Sequence, residues 1–187
     1  MTKFIRMTSL AATAALALGA SPAFAAPVGP TGGRNATATA RIIKPLTLTW
    51  EQDLNLGTIL LSGPGAWTGA VVSLSHDGTF ACSNTNVTCS GAVSVARYNV
   101  TGTNNQVVSI LSPDTITLTN ANNPLQTLVM TVSCPGGAGT GDCPGSVALG
   151  NSGAVGVDFN LGGSITVNST TGDGVYSGTF DVTVDYS

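Results

Sequence analysis

Charge is scarce in this chain. Of its 187 residues, 8% are Asp, Glu, Lys or Arg, against about a quarter in an ordinary soluble domain, so Thr, Ser, Asn and Gly must carry the surface. Lysine occurs only at Lys3 and Lys44. With no basic stripe to neutralise phosphates, nucleic-acid binding is disfavoured and no nucleic-acid partner is expected. Glu51 is the sole glutamate and His76 the sole histidine. Most aspartates fall at turns or on outward strand positions, as Asp181 and Asp185 do, so paired glycosidase carboxylates are unsupported. There is no G-x-S-x-G elbow, no H-E-x-x-H and no phosphate loop with G-K-[ST]. His76, beside Asp77 and Gly78, reads as a solvated turn histidine. No catalytic residue, metal or cofactor is expected.

A long hydrophobic run is also missing. The longest, Ser9 to Ala20, is about a dozen residues, too short for the 20 or so of a membrane span. It follows Lys3 and Arg6 and precedes Ala23-Phe24-Ala25, the n-region, h-region and A-x-A site of an export signal. Residues 1–25 are therefore expected to be removed, giving a mature chain that starts at Ala26, with no membrane insertion. Nine acidic side chains then face four basic ones, Arg34, Arg41, Lys44 and Arg97.

Export makes the cysteines informative, since an oxidising compartment favours disulfides. Cys82 and Cys89 bracket Ser83-Asn84-Thr85-Asn86, and Cys134 and Cys143 bracket a Gly-rich run from Pro135 to Gly141. Three connectivities are possible. The turn-forming sequence inside each close pair favours the two local bridges, and the gaps are too long for structural zinc. The Gly-rich run is not a nucleotide loop, because no helix pattern follows it. Sequons at Asn35, Asn86, Asn99 and Asn168 carry no weight in a chain so rich in Asn and Thr.

Hydrophobic period is two almost everywhere, the mark of strands. The runs are Leu46 to Trp50, Ala70 to Ser75, Ala92 to Thr101, Gln106 to Leu111, Thr115 to Thr119, Thr127 to Ser133, Ala154 to Asn160, Ser164 to Asn168 and Ser177 to Asp185. Gly, Asn and Pro clusters separate them. Nine short strands and no helix predict an all-β, immunoglobulin-like β-sandwich occupying residues 46–187, with a barrel or jelly roll as the alternative.

The two ends of the mature chain carry the functional signal. In the last strand, Phe180, Val182, Val184 and Tyr186 share one face while Thr179, Asp181, Thr183 and Asp185 share the other. This strand runs to the chain end with nothing after it to cover its edge, and such an edge invites pairing. Near the other end, residues 26–45 form an extension. After a Gly/Pro-rich start, Ala36, Ala38, Ala40 and Ile42 alternate with Thr37, Thr39, Arg41 and Ile43, and Pro45 interrupts the ladder. Small residues on one face suit a narrow groove. The competing reading is a single intramolecular first strand from Ala36 to Trp50 with a kink at Pro45.

The C-terminal pattern resembles that of chaperone–usher pilus subunits, with Tyr186 penultimate and Gly174 fourteenth from the end. That resemblance implies an incomplete immunoglobulin-like sandwich, filled first by a periplasmic chaperone and then by the N-terminal strand of the next subunit, by β-strand addition. Partners would be copies of the chain itself, the chaperone and an outer-membrane usher, with the fibre lying outside the cell. The order Ala38 to Leu48, Asp53 to Ile59, Tyr98 to Gly102 and Gly174 to Tyr186 is also similar to the secreted domain-of-unknown-function 4402 family. It departs from that family mildly at Leu56, where Phe is commoner. The expected function is thus a structural fibre subunit that polymerises by donor-strand exchange and supports adhesion or biofilm formation. The alternative is a monomeric adhesive or carbohydrate-binding module, for which Trp67 in Gly65 to Gly69 is the one aromatic candidate, although a turn-packing role suits it better.

Overall fold

The computed structural model describes residues 28–29, 31–33, 36–82, 84–136, 143–151 and 155–187. The expected signal segment, residues 1–25, and most of the Gly-rich run between Cys134 and Cys143 lie outside the described residues. The chain divides into two units, residues 1–40 and 41–187. In the first, described residues 36–40 are exposed and form no strand.

The second unit is an all-β sandwich with no helix among the described residues. Its strands are β1 (Thr47–Gln52), β2 (Thr58–Leu61), β3 (Ala70–Leu74), β4 (Phe80–Cys82), β5 (Val87–Ser90), β6 (Ala96–Thr101) and β7 (Val107–Leu111). They continue with β8 (Thr115–Asn120), β9 (Thr127–Ser133), β10 (Gly145–Ala148), β11 (Val157–Val167), β12 (Tyr176–Ser177) and β13 (Thr183–Tyr186). A large antiparallel sheet runs in the order β1-β6-β11-β9-β8-β12, with β3 beside β11 and β4 beside β3; β10-β7-β13 and β2-β5 form smaller sheets. Apolar residues at every second position supply the core: Val72, Val100, Met130, Val132, Phe159, Leu161 and Ile165 from the large sheet, and Val108 and Ile110 from β7, all nearly or fully buried. Both local bridges, Cys82–Cys89 and Cys134–Cys143, are formed.

The fold departs from the sequence reading in four places. The expected runs Ala154 to Asn160 and Ser164 to Asn168 are joined in the single strand Val157–Val167, because Gly162 and Gly163 continue it instead of turning it. Gly162 is required there: a Cβ would land on the Leu74 carbonyl. Short strands β2, β4, β5 and β10 were not expected, since three or four residues are too few for alternation to register.

The last run, Ser177 to Asp185, is not continuous. Its start pairs with β8 in the large sheet, its end pairs with β7 in the small one, and Gly178 to Val182 cross between them outside any strand. Gly178 permits the departure, because a Cβ would meet the Thr117 carbonyl at 2.6 Å. Alternation reports which way side chains face, and says nothing about whether the backbone has a partner. Lastly, Trp50, which shares the alternate positions of the first strand with Leu46 and Leu48, is 57% exposed where they are half-buried.

Candidate functional site

The last strand and the first strand are both edges, and they flank an open side of the sandwich. β13 pairs only with β7, and β1 only with β6, among the described residues. On β13 the inward side chains are Val184, paired across the ladder with Ile110, and Tyr186, paired with Val108. Ile110 and Val108 are 0% exposed, yet Val184 and Tyr186 remain half-buried, as do Phe180 and Val182 on the crossing segment. Leu46 and Leu48, before and on β1, are half-buried in the same way. At one end Phe180, Gly178 and Thr179 line a cleft of about 230 Å³ together with Trp50, Leu54 and Tyr98. Tyr98 stacks on Phe159, with ring centroids 5.5 Å apart.

Tyr186 closes the other end. Its hydroxyl donates to the Lys44 carbonyl at 2.6 Å and accepts from the Thr103 amide at 2.8 Å, while the Lys44 amide donates to Thr103 Oγ1 at 2.6 Å. Gly102 makes the room, for a Cβ there would sit 2.6 Å from the Tyr186 hydroxyl and 2.7 Å from Leu46. Arg41 donates to Gln106 Oε1. Residues 41–45 are thereby strapped to the loop between β6 and β7, although Ile42 is 89% exposed. The sequence reading missed Thr103, Gly102 and Gln106 as holders of this strap, since nothing local marks them.

Gly174 has a different office. Its φ is +142°, and a Cβ would strike the side chain of Asn120. Asn120 is fully buried; its Nδ2 donates to the Asp173 carbonyl at 2.9 Å and to Gln126 Oε1 at 3.0 Å, and its Oδ1 accepts from the Asn122 amide at 2.9 Å. Gly174 therefore lets the chain before β12 lie on a buried amide, and it forms no part of the open side. The expected donor positions Ala36, Ala38, Ala40 and Ile42 are all exposed, and no strand is assigned from residue 36 to residue 46.

Charge divides sharply along the chain. Residues 26–45 hold three basic side chains, Arg34, Arg41 and Lys44, and no acidic one, whereas residues 46–187 hold all nine acidic side chains and only Arg97 on the basic side. Asp53 and Asp181 lie close enough to Tyr98 to act on it. Burial first, and then these two carboxylates, push its hydroxyl above the usual tyrosine value.

His76 lies on a turn, as expected, but it is not simply solvated. It is half-buried, and its Nδ1 lies 3.2 Å from Ser133 Oγ. Asp77 does not orient it: its Oδ1 accepts from the Thr79 amide at 2.8 Å, which, ahead of any effect of His76, holds this carboxyl below its usual range. Trp67 is half-buried against the core, with its carbonyl and amide bonded to Ser169. Among the described residues no group of three or more His, Cys, Asp or Glu could hold a metal, and no helix is long and apolar enough to cross a membrane.

No curated protein and no solved structure matches the chain. The family model described as Domain of unknown function (DUF4402) matches residues 46–186, from β1 through Tyr186. That is well over half of the sequence, and the chain belongs to this family.

Proposed function

We propose that the protein is a structural subunit of a surface fibre, in which the N-terminal extension of one copy completes the open side of the next by donor-strand exchange. The observation that carries this reading is the half-buried row from Phe180 to Tyr186 beside an unpaired backbone edge. An extended segment laid along β13 would satisfy that edge and seal the row. The extension suits the role: Ala36, Ala38 and Ala40 present small side chains on one face, and its three basic residues meet an acidic body. Complementary charge of this kind speeds encounter between copies and is weakened by salt. Export through a periplasm, with a chaperone covering the groove and an usher in the outer membrane, belongs to the same proposal, as does a role in adhesion or biofilm formation.

The test is assembly of the exported chain, followed by electron microscopy and gel mobility before and after boiling. Deleting residues 26–43 should abolish fibres and leave a monomer that a synthetic peptide of residues 34–45 stabilises. Ala38→Asp should block assembly by placing a charge against apolar side chains, while Thr39→Asp should be tolerated. Fibre growth should slow as salt rises. A mature chain that stays a stable, soluble monomer would overturn the proposal in favour of a monomeric adhesive module.

A further inference from the structure

The outer face of the large sheet carries a second concavity. Val71 and Ser73 on β3 and Ser164 on β11 point outward, opposite to the buried Ala70, Val72, Leu74 and Ile165. The chain leaving β3 then folds back over this face. Gly162 allows the close approach, since a Cβ would sit 2.7 Å from the His76 amide. The result is a cleft of about 300 Å³ lined by Val71, Ser73, Ser75, His76, Ser133 and Ser164. Ser133 is only 5% exposed, and its hydroxyl fixes the imidazole through Nδ1 at 3.2 Å. The other ring nitrogen, Nε2, has no partner among the described residues.

The chemistry of the lining selects the ligand class. Among the described residues no Lys, Arg, Asp or Glu lines the cleft, so a charged ligand would lose hydration without gaining a counter-charge there. Serine hydroxyls donate and accept at once, and a neutral imidazole offers one of each. Four hydroxyls and one imidazole around a single apolar wall match a molecule that is itself a ring of hydroxyls with an apolar C–H face. The volume sits at the lower end for ligand sites, room for one ring and not for a chain. Beyond the cleft the register continues Ser73, Ser164, Thr131 and Thr115 across four strands. Those side chains are spaced by about 4.8 Å, a row of hydroxyls along which a longer glycan could continue. We propose that this cleft binds one ring of a neutral saccharide, with His76 Nε2 and the hydroxyls of Ser73 and Ser164 as its polar contacts.

Sugar capture here and strand capture along β13 are separable, because the cleft is built on β3, β9 and β11 of the large sheet whereas β13 belongs to the small one, and the two share no residue. The test is an NMR titration of the isotope-labelled full chain with glucose, galactose, mannose and N-acetylglucosamine, and in parallel with sodium sulfate and sialic acid. At least one neutral sugar should shift the His76 ring signals and the Ser133 and Ser164 amides, saturating on the order of 1 mM for so small a ligand. Ser164→Val and Ser73→Val should each weaken that binding by about tenfold, the loss of one hydrogen bond, with the rest of the spectrum unchanged. If either variant perturbs the fold, His76→Gln serves instead. Trp50→Ala should leave the response intact. The proposal is overturned if no neutral sugar shifts these signals at tens of millimolar, if the shifts fall at Trp50 and Phe180 instead, or if sulfate or sialic acid produces them more strongly than the neutral sugars.

Discussion

β7 and β13 lie side by side in one three-stranded sheet, with Val108 opposite Tyr186 and Ile110 opposite Val184, yet their inward side chains live in different environments. β7 has β10 on its other flank, and Val108 and Ile110 are wholly buried. β13 has no second neighbour among the described residues, and Val184 and Tyr186 stay half-buried. Backbone pairing and side-chain burial thus fail together on the β13 side. A strand is sealed by its neighbours on both flanks as much as by the opposite sheet, so one missing flank leaves both hydrogen bonds and apolar area unclaimed.

The sharpest break of this comparison is paired truncation. Ile110→Ala should cost about 2–5 kcal/mol in urea unfolding of the monomer, and Val184→Ala about 1 kcal/mol or less, because less area leaves water there. If an added strand seals the row, the penalty for Val184→Ala should rise toward that of a core valine when measured on the assembled form. Equal penalties in the monomer would show that the two flanks do not differ.

Removing the bridge between Cys82 and Cys89 should lower stability by roughly 2–3 kcal/mol, as closure of a short loop predicts, and the same should hold for Cys134 and Cys143. Differential scanning calorimetry of the double alanine variants checks this. Since neither bridge spans β13, peptide binding along that edge should survive their loss.

Tyr186→Phe removes one donor and one acceptor and should cost about 1–2 kcal/mol. Its more telling readout is hydrogen exchange: the Thr103 amide should exchange faster, and residues 41–45 should loosen from the loop between β6 and β7.

The smallest effect is a titration. Folding favours the protonated form of Tyr98, raised above the ordinary 10.0 by burial, then by Asp53 and Asp181. Stability from this source is complete below the unfolded value and is lost as pH rises through the higher folded value. The urea midpoint should therefore hold near neutral pH and fall above pH 10, and a strand covering the cleft should move the Tyr98 absorbance transition further up. A downward movement would mean that the added strand does not bury this side chain.

Much of this was legible in the chain itself. Strand positions from β6 to β9 follow the alternation of Ala96 to Thr101, Val107 to Leu111, Thr115 to Asn120 and Thr127 to Ser133, because side-chain facing is a local property of extended backbone. The two bridges were legible for the same reason, each joining residues already near in sequence. The terminal alternation of Phe180, Val182, Val184 and Tyr186 put these residues on one face, all half-buried, but it could not show that the row begins outside any strand or that the chain changes sheets after Ser177. The exposure of Trp50 was hidden too, since a side chain in step with buried-facing neighbours is itself buried only if something lies opposite.

Local pattern, then, determined the all-β class, the disulfides and the contrast between a basic extension and an acidic body, all of which depend on residue identity and short spacing. Tertiary structure alone decided that β13 has a single flanking strand among the described residues, that Tyr186 straps Lys44 to Thr103 across 142 and 83 residues of chain, and that His76 meets Ser133 over a hydroxyl-lined cleft. Those pairings join residues far apart in sequence, and no window along the chain can contain them, because the free energy that fixes them comes from closing the sheets on one another.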